Sequence, residues 1–186
     1  MSGLTELPAD LPVPTDDGAA AHLEGMRMPH ISLWSTSGRP VDVGALGPGR
    51  TVLYLYPRTG RPDRGVPAGW DSIPGARGCT PESCGFRDQF ALLEALGAQV
   101  FGVSTQDTEY QQEAVHRLEL PFELLSDSGL ELARAMRLPT FQFEGETLLK
   151  RLTLIVLDGK VDHVFYPVFP PDRHAEEVAG HLRAVS

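Results

Sequence analysis

The sequence holds two cysteines, Cys79 and Cys84, in the stretch Gly78-Cys79-Thr80-Pro81-Glu82-Ser83-Cys84-Gly85-Phe86-Arg87-Asp88. Thiol chemistry is therefore the first chemistry to consider. Gly78 and Thr80 suit an N-cap and Pro81 suits a first turn, so a helix begins between Gly78 and Pro81. Phe86, Phe90, Leu93 and Leu96 recur at helical spacing, which carries the helix to about Leu96 before Gly97 ends it. Cys79 then lies at a helix N-terminus, where unpaired N–H groups and the positive dipole end favour a thiolate. On a regular helix, five residues give a rise of roughly 7.5 Å and a Cα separation of roughly 8–9 Å. A disulfide wants Cα atoms within about 7 Å. Bonding Cys79 to Cys84 thus requires the first helical turn to unwind, which fits a reversible pair better than a structural staple.

The elements that must position this stretch read as alternating strands and helices. Residues 1–27 are rich in Pro, Asp, Ala and Gly, with weak periodicity, and read as a loosely held N-terminal extension. From Met28 on, Ile31–Ser35 and Pro40–Val43 flank Thr36-Ser37-Gly38 as an N-terminal β-hairpin. Thr51–Tyr56 is an apolar, β-prone run stopped by Pro57, a buried central strand. Residues 60–78, with Pro62, Pro67, Pro74 and Trp70, form a long inserted loop that runs into the cysteine helix and walls the site. Beyond the helix come a strand at Gln99–Ser104, a helix from Asp107 to about Leu118, and a strand at Phe122–Leu125. A short helix at Leu130–Met136 precedes Phe141–Phe143, Leu149–Leu157 and Val161–Tyr166, the last two joined by the hairpin signal Asp158-Gly159. A closing helix at about Asp172–Val185 points Val178, Leu182 and Val185 inward. This order predicts an α/β fold, a mixed central sheet with helices on both faces, in one domain over residues 28–186.

Bulk composition narrows the function. A chain of 186 residues with 41% hydrophobic content suits one core. No apolar run is long enough to span a membrane. The formal charge of −9 argues against a nucleic-acid partner. Residues 1–15 lack the pattern of a secretory signal, so a cytoplasmic, reducing location is expected, where a cysteine pair is catalytic or redox-sensing rather than structural. The six histidines show no close pairing and only two cysteines exist, so neither a metal nor a cofactor is expected.

Cys79-Thr80-Pro81-Glu82-Ser83-Cys84-Gly85-Phe86-Arg87-Asp88 resembles the C-T-x-E-x-C-x-F-R-D signature of the PrxQ (bacterioferritin comigratory protein) branch of the peroxiredoxins. Leu55-Tyr56-Pro57, Gly102-Val103-Ser104, Phe122–Asp127 and Arg151-Leu152-Thr153 resemble further segments of that branch, in its order. The resemblance implies a thioredoxin-like fold and a peroxidase of the two-cysteine kind, acting on hydrogen peroxide or organic hydroperoxides. Cys79 would be the peroxidatic cysteine and Cys84 the resolving one, with local unfolding of the helix start between steps. Thioredoxin or a similar dithiol would recycle the disulfide, and a monomer is expected over a dimer. Arg151 would stabilise the thiolate and the leaving oxygen, and Glu82 would orient that network. Pro57 would be the motif proline that shields the thiolate. The branch places a hydroxyl three residues before the cysteine, where this chain has Ala76; Ser72, Thr59 or backbone N–H groups alone would take its place.

Blander readings accompany each residue. Arg151 is also a surface arginine on an alternating strand, Glu82 a helix-dipole partner, Trp70 an apolar anchor, and Ser72 and Thr59 turn residues. Two other functions use the same cysteines: a general thiol–disulfide oxidoreductase, which usually carries C-x-x-C, and a redox-switched sensor or holdase.

Overall fold

The computed structural model describes residues 6–185; the first five residues of the extension lie outside the described residues. The predicted hairpin is present as β1 (Ser32–Ser35) and β2 (Pro40–Asp42), paired antiparallel. β3 (Arg50–Leu55) is the buried central run. The long loop leads from it to α1 (Cys79–Ala95), then β4 (Ala98–Ser104), α2 (Thr108–Leu118), β5 (Glu123–Ser126) and α3 (Glu131–Met136). The chain continues through β6 (Thr140–Phe143), β7 (Glu146–Leu149), β8 (Leu152–Leu157), β9 (Lys160–Phe165) and α4 (His174–Ala184).

Seven strands form the central sheet in the order β2-β1-β5-β4-β3-β8-β9. β3, β4 and β5 run parallel, while β8 lies antiparallel to β3 on one side, with β9 antiparallel to β8 in turn, and β1 lies antiparallel to β5 on the other. The period-2 geometry of a strand sends successive side chains of β3 to opposite faces. Val52 and Tyr54, with Tyr56 just beyond the strand, face a core shared with Phe86, Leu93, Val178 and Leu182 of α1 and α4. Leu53 and Leu55 face a second core with Leu132 and Met136 of α3. The mixed sheet with helices on both faces is thus the architecture predicted.

Three local expectations are corrected. The segment read as loosely held is docked from about Asp16 onward: Ala20 and Leu23 are buried, and Gly25 and Met26 exchange 2.8 Å backbone hydrogen bonds with Val161 on the edge strand β9. An edge strand leaves unpaired backbone groups that this segment satisfies, a long-range reward that composition does not reveal. The single run Leu149–Leu157 is two strands, because β7 pairs with β6 in a separate hairpin and β8 pairs with β3. The break falls at Lys150-Arg151, where Arg151 turns into a buried charge network. Finally, Val185 is exposed, since α4 ends at Ala184.

Candidate active site

Three parallel strands end side by side, and the segments beyond their carboxyl ends meet around Cys79, the usual location for a site in an open α/β sheet. Arg58 and Thr59 follow β3, Thr105 and Gln106 follow β4, and Ser128 and Leu130 follow β5. With the inserted loop they enclose a cleft of about 840 Å³ that opens onto Cys79. The loop lines this cleft with Gly60, Arg61, Arg64–Pro67, Trp70 and Arg77. Trp70 anchors it: the indole is buried with Ala76 and Leu148, sits edge-on to Phe143 with centroids 4.9 Å apart, and lies beneath the Arg58 guanidinium at 4.6 Å. The β6–β7 hairpin therefore fastens the loop that reaches the cysteine.

Cys79 is the first residue of α1. Its helix starts on Gly78, whose φ of 104° lies in the left-handed region. A Cβ at that position would stand 2.4 Å from Pro171 Cγ, so the approach of the loop to the α4 entrance also demands glycine. Pro81 occupies the first turn, where its missing N–H leaves no intrahelical bond unmade. Cys79 is 3% exposed. Its Sγ lies 3.2 Å from Arg151 Nη2, and its thiol points at the Ala76 carbonyl, 3.6 Å away.

Arg151 is the centre of the site. Its side chain is 1% exposed and its Nη1 donates to Glu82 Oε2, on a side chain that is 0% exposed. The remaining donors reach three consecutive carbonyls of the loop: Gly75 at 3.3 Å, Ala76 at 3.3 Å and Arg77 at 3.1 Å. The surface reading of Arg151 is thereby overturned. Glu82 is more than a dipole partner, because its carboxylate neutralises a buried guanidinium; its Oε1 has no hydrogen-bond partner among the described residues.

Electrostatics here are a contest between burial and that one cation. Burial pushes the Cys79 thiol up; the Arg151 charge and a backbone hydrogen bond from Arg58 pull it down, while Glu82 works against them. Burial also pushes the Glu82 carboxyl up, offset by Arg151 and His174. The helix start favours the thiolate, and desolvation opposes it and pushes the resting thiol up. Arg151 is what keeps an anion at the sulfur affordable.

Cys84 lies farther along the same unbroken helix, half-buried, and both thiols are free. Pro57 is buried directly before Arg58, whose backbone N–H serves the sulfur. Thr59 is buried on the cleft wall with its hydroxyl donated to Gln106 Oε1 at 3.3 Å. Ser72 is not part of the cleft: it sits exposed in a short 3-10 turn, Trp70–Ser72, turned away by the burial of Trp70. Several participants escaped sequence reasoning. Ala76, noted only for lacking a hydroxyl, supplies the carbonyl shared by Cys79 and Arg151. His174 is buried behind the pair, its Nε2 2.8 Å from Thr153 Oγ1. No grouping suited to a metal ion occurs among the described residues, and no described helix is long and apolar enough to cross a membrane.

Comparison with known proteins agrees with this geometry. The family model described as Redoxin matches residues 23–181. The chloroplastic peroxiredoxin Q of Sedum lineare is 29% identical over 163 residues, covering 87% of this chain and 78% of that protein. The chloroplastic peroxiredoxin Q of Arabidopsis thaliana is 27% identical over 161 residues, covering 87% and 67%. Among solved structures, the peroxidoxin BcpB of Mycobacterium tuberculosis matches with a TM-score of 0.71 at 26% identity, over 88% of this chain and 97% of that one. The PrxQ of Xylella fastidiosa shares the fold with a TM-score of 0.70 at 21% identity, over 87% and 96%. The match begins at residue 23, inside the docked segment, and takes in the cleft, both cysteines and Arg151. The chain belongs to the redoxin family, and within it to the peroxiredoxin Q branch of the peroxiredoxins.

Proposed function

We propose that the protein is a thiol peroxidase in which Cys79 reduces hydrogen peroxide or organic hydroperoxides. The observation that carries this reading is the Arg151 guanidinium 3.2 Å from a cysteine sulfur at the floor of an open cleft. Cys79 gives up its proton and its sulfur attacks one peroxide oxygen. The O–O bond breaks, the sulfur keeps that oxygen as a sulfenic acid, and the other oxygen takes a proton and departs as water or an alcohol. Negative charge grows on both the attacked and the departing oxygen, where the preorganised Arg151 donors are worth most. Glu82 and the three loop carbonyls hold that guanidinium in place.

Cys84 then resolves the sulfenic acid. Its thiolate attacks the Cys79 sulfur, the S–O bond breaks, and the oxygen leaves as water, giving an intramolecular disulfide. Both cysteines lie in one continuous helix, so this step unwinds the first turn of α1. A dithiol such as thioredoxin supplies the two electrons that restore the thiols, and two free cysteines suit a reducing compartment such as the cytoplasm. The test is intact mass after one equivalent of peroxide. Wild type should lose the mass of two hydrogens, Cys84→Ser should gain one oxygen, and Cys79→Ser should not change. An unreactive Cys84→Ser together with a reactive Cys79→Ser would reverse the two roles.

A further inference from the structure

Ahead of the part of the N-terminal segment that docks on β9, the chain crosses the start of α1 and touches the site at three points. The Leu7 side chain lies against Gly78. A Cβ on that glycine would stand 2.9 Å from Leu7 Cδ2 and 2.4 Å from Pro171 Cγ, so the helix start is buried between the two. Pro14 lies against Gly75, 3.7 Å away by the same measure. Asp17 accepts from Lys150 Nζ at 2.6 Å and from the Tyr166 hydroxyl at 2.8 Å. Each point adjoins the charge network of the site. Gly75 gives its carbonyl to Arg151 Nε, and Lys150 directly precedes Arg151. The Gly78 carbonyl accepts the opening hydrogen bond of α1, from the Glu82 N–H at 3.0 Å. Residues 7–17 lie outside the span that the redoxin model matches.

We propose that residues 7–17 are a strap that holds the first turn of α1 wound, so that its fastening at Leu7 and Asp17 sets how readily Cys79 swings out to meet Cys84. This rests on the peroxidase reading of Cys79 and assigns a control to the step after peroxide reduction.

The construction of the segment suits that task. Pro8, Pro12 and Pro14 favour an extended, stiff span, which carries a restraint from one end to the other. Between Val13 and Asp17 the span arches over a cavity of about 320 Å³, lined on its other side by Gly75, Lys150 and Arg151. It is therefore held at separate contacts, not along its length. Unwinding the first turn moves Gly78, and Gly78 leaves its place only when Leu7 yields. The carboxylate of Asp17 forms charge-assisted hydrogen bonds, but its side chain is 42% exposed, so solvent screens the fastening. A hold of this strength shifts a local opening without deciding whether the domain folds.

The experiment measures backbone hydrogen exchange in the reduced 186-residue chain, for wild type, Leu7→Ala/Asp17→Asn, Asp17→Glu and Leu132→Val. Leu132 is fully buried in the core on the other face of the sheet, so its variant loosens the domain without touching the strap. Exchange at the Glu82, Ser83 and Cys84 amides should rise about tenfold in the double variant, the scale of one half-buried apolar contact plus one exposed ion pair. Asp17→Glu should stay near wild type. Intact mass sampled after one equivalent of peroxide should show the disulfide replacing the sulfenic acid faster by the same factor. First-turn exchange unchanged in the double variant, or raised as much by Leu132→Val, would overturn the strap and leave the peroxidase reading standing. Faster exchange with an unchanged rate of disulfide formation would overturn the control assigned to it. A wild type that neither gains oxygen nor forms a disulfide would remove the peroxidase reading and, with it, the step the strap is said to control.

Discussion

Replacing Arg151 with methionine separates what the guanidinium does for the fold from what it does for the sulfur. The side chain it removes is 1% exposed and its carboxylate partner Glu82 is 0% exposed. Removing one member of a buried pair leaves the other charge uncompensated and costs about 3–5 kcal/mol. Domains hold only about 5–15 kcal/mol in all, so Arg151→Met should be close to the edge of folding. Adding Glu82→Gln removes the stranded charge, and the double variant should regain much of the loss. The recovery is incomplete because the Gly75, Ala76 and Arg77 carbonyls still lack their donor. Reactivity should not follow stability. With Arg151 gone, burial acts on the Cys79 thiol without the opposing cation, so its titration midpoint rises further above the ordinary 9.0. Loss of a donor aimed at developing oxygen charge should slow peroxide reduction by about 10²–10³-fold. Urea midpoints report the fold, and iodoacetamide alkylation of Cys79 against pH, beside peroxide consumption, reports the sulfur. A double variant that is stable and still reduces peroxide within about threefold of wild type would refute the role given to Arg151, since the same term predicts a far larger loss.

Two further outcomes follow from the same network. Trp70→Ala should empty an anchor worth about 3–5 kcal/mol locally, freeing the loop that carries the Arg151 carbonyls. Limited proteolysis within residues 60–78 and slower Cys79 alkylation should appear together, and Trp70→Phe should largely restore both; alkylation unchanged in Trp70→Ala would sever the link between anchor and site. Glu82 gives a signed pH dependence. Its folded pKa is raised above the ordinary 4.5 by burial, so the folded state binds that proton more tightly than the unfolded state. Its contribution to stability is fully present below about 4.5 and is lost as pH rises through the folded value. Urea midpoints across that window should fall with pH in wild type and lose that component in Glu82→Gln. Asp17 runs the other way: hydrogen bonds from Lys150 and Tyr166 hold it below the usual carboxylate range, so its contribution is lost as pH falls below 3.8.

Much of the architecture is legible in local pattern. Thr51–Tyr56 reads as a two-sided buried strand, and β3 is that strand, because a continuous β-prone run has few other solutions in water. Gly78, Pro81 and the Phe86–Leu93 spacing mark α1 to within a residue at its start, since capping and helical period are properties of neighbouring residues. The cysteine spacing and the signature around it likewise lead to the family. The break between β7 and β8 is different. Leu149–Leu157 is interrupted only by Lys150-Arg151, and the division falls where β7 pairs with β6, β8 pairs with β3, and Arg151 reaches Glu82, 69 residues away in sequence.

By itself, then, the sequence determined the elements, the order of the chemistry-bearing residues and the helix on which both cysteines ride. Tertiary structure decided how that chemistry is held. It buried Cys79 and so opposed the thiolate that a bare helix start would favour. It moved Ser72 to the surface while bringing Thr59 to the cleft wall. At Ala76, which has no hydroxyl to offer, it set the backbone carbonyl to accept from both the thiol and the guanidinium. Every residue carries such a carbonyl, so no residue type announces it. Its use depends on the loop being fastened by Trp70 against a distant hairpin, and that fastening exists only once the chain has folded.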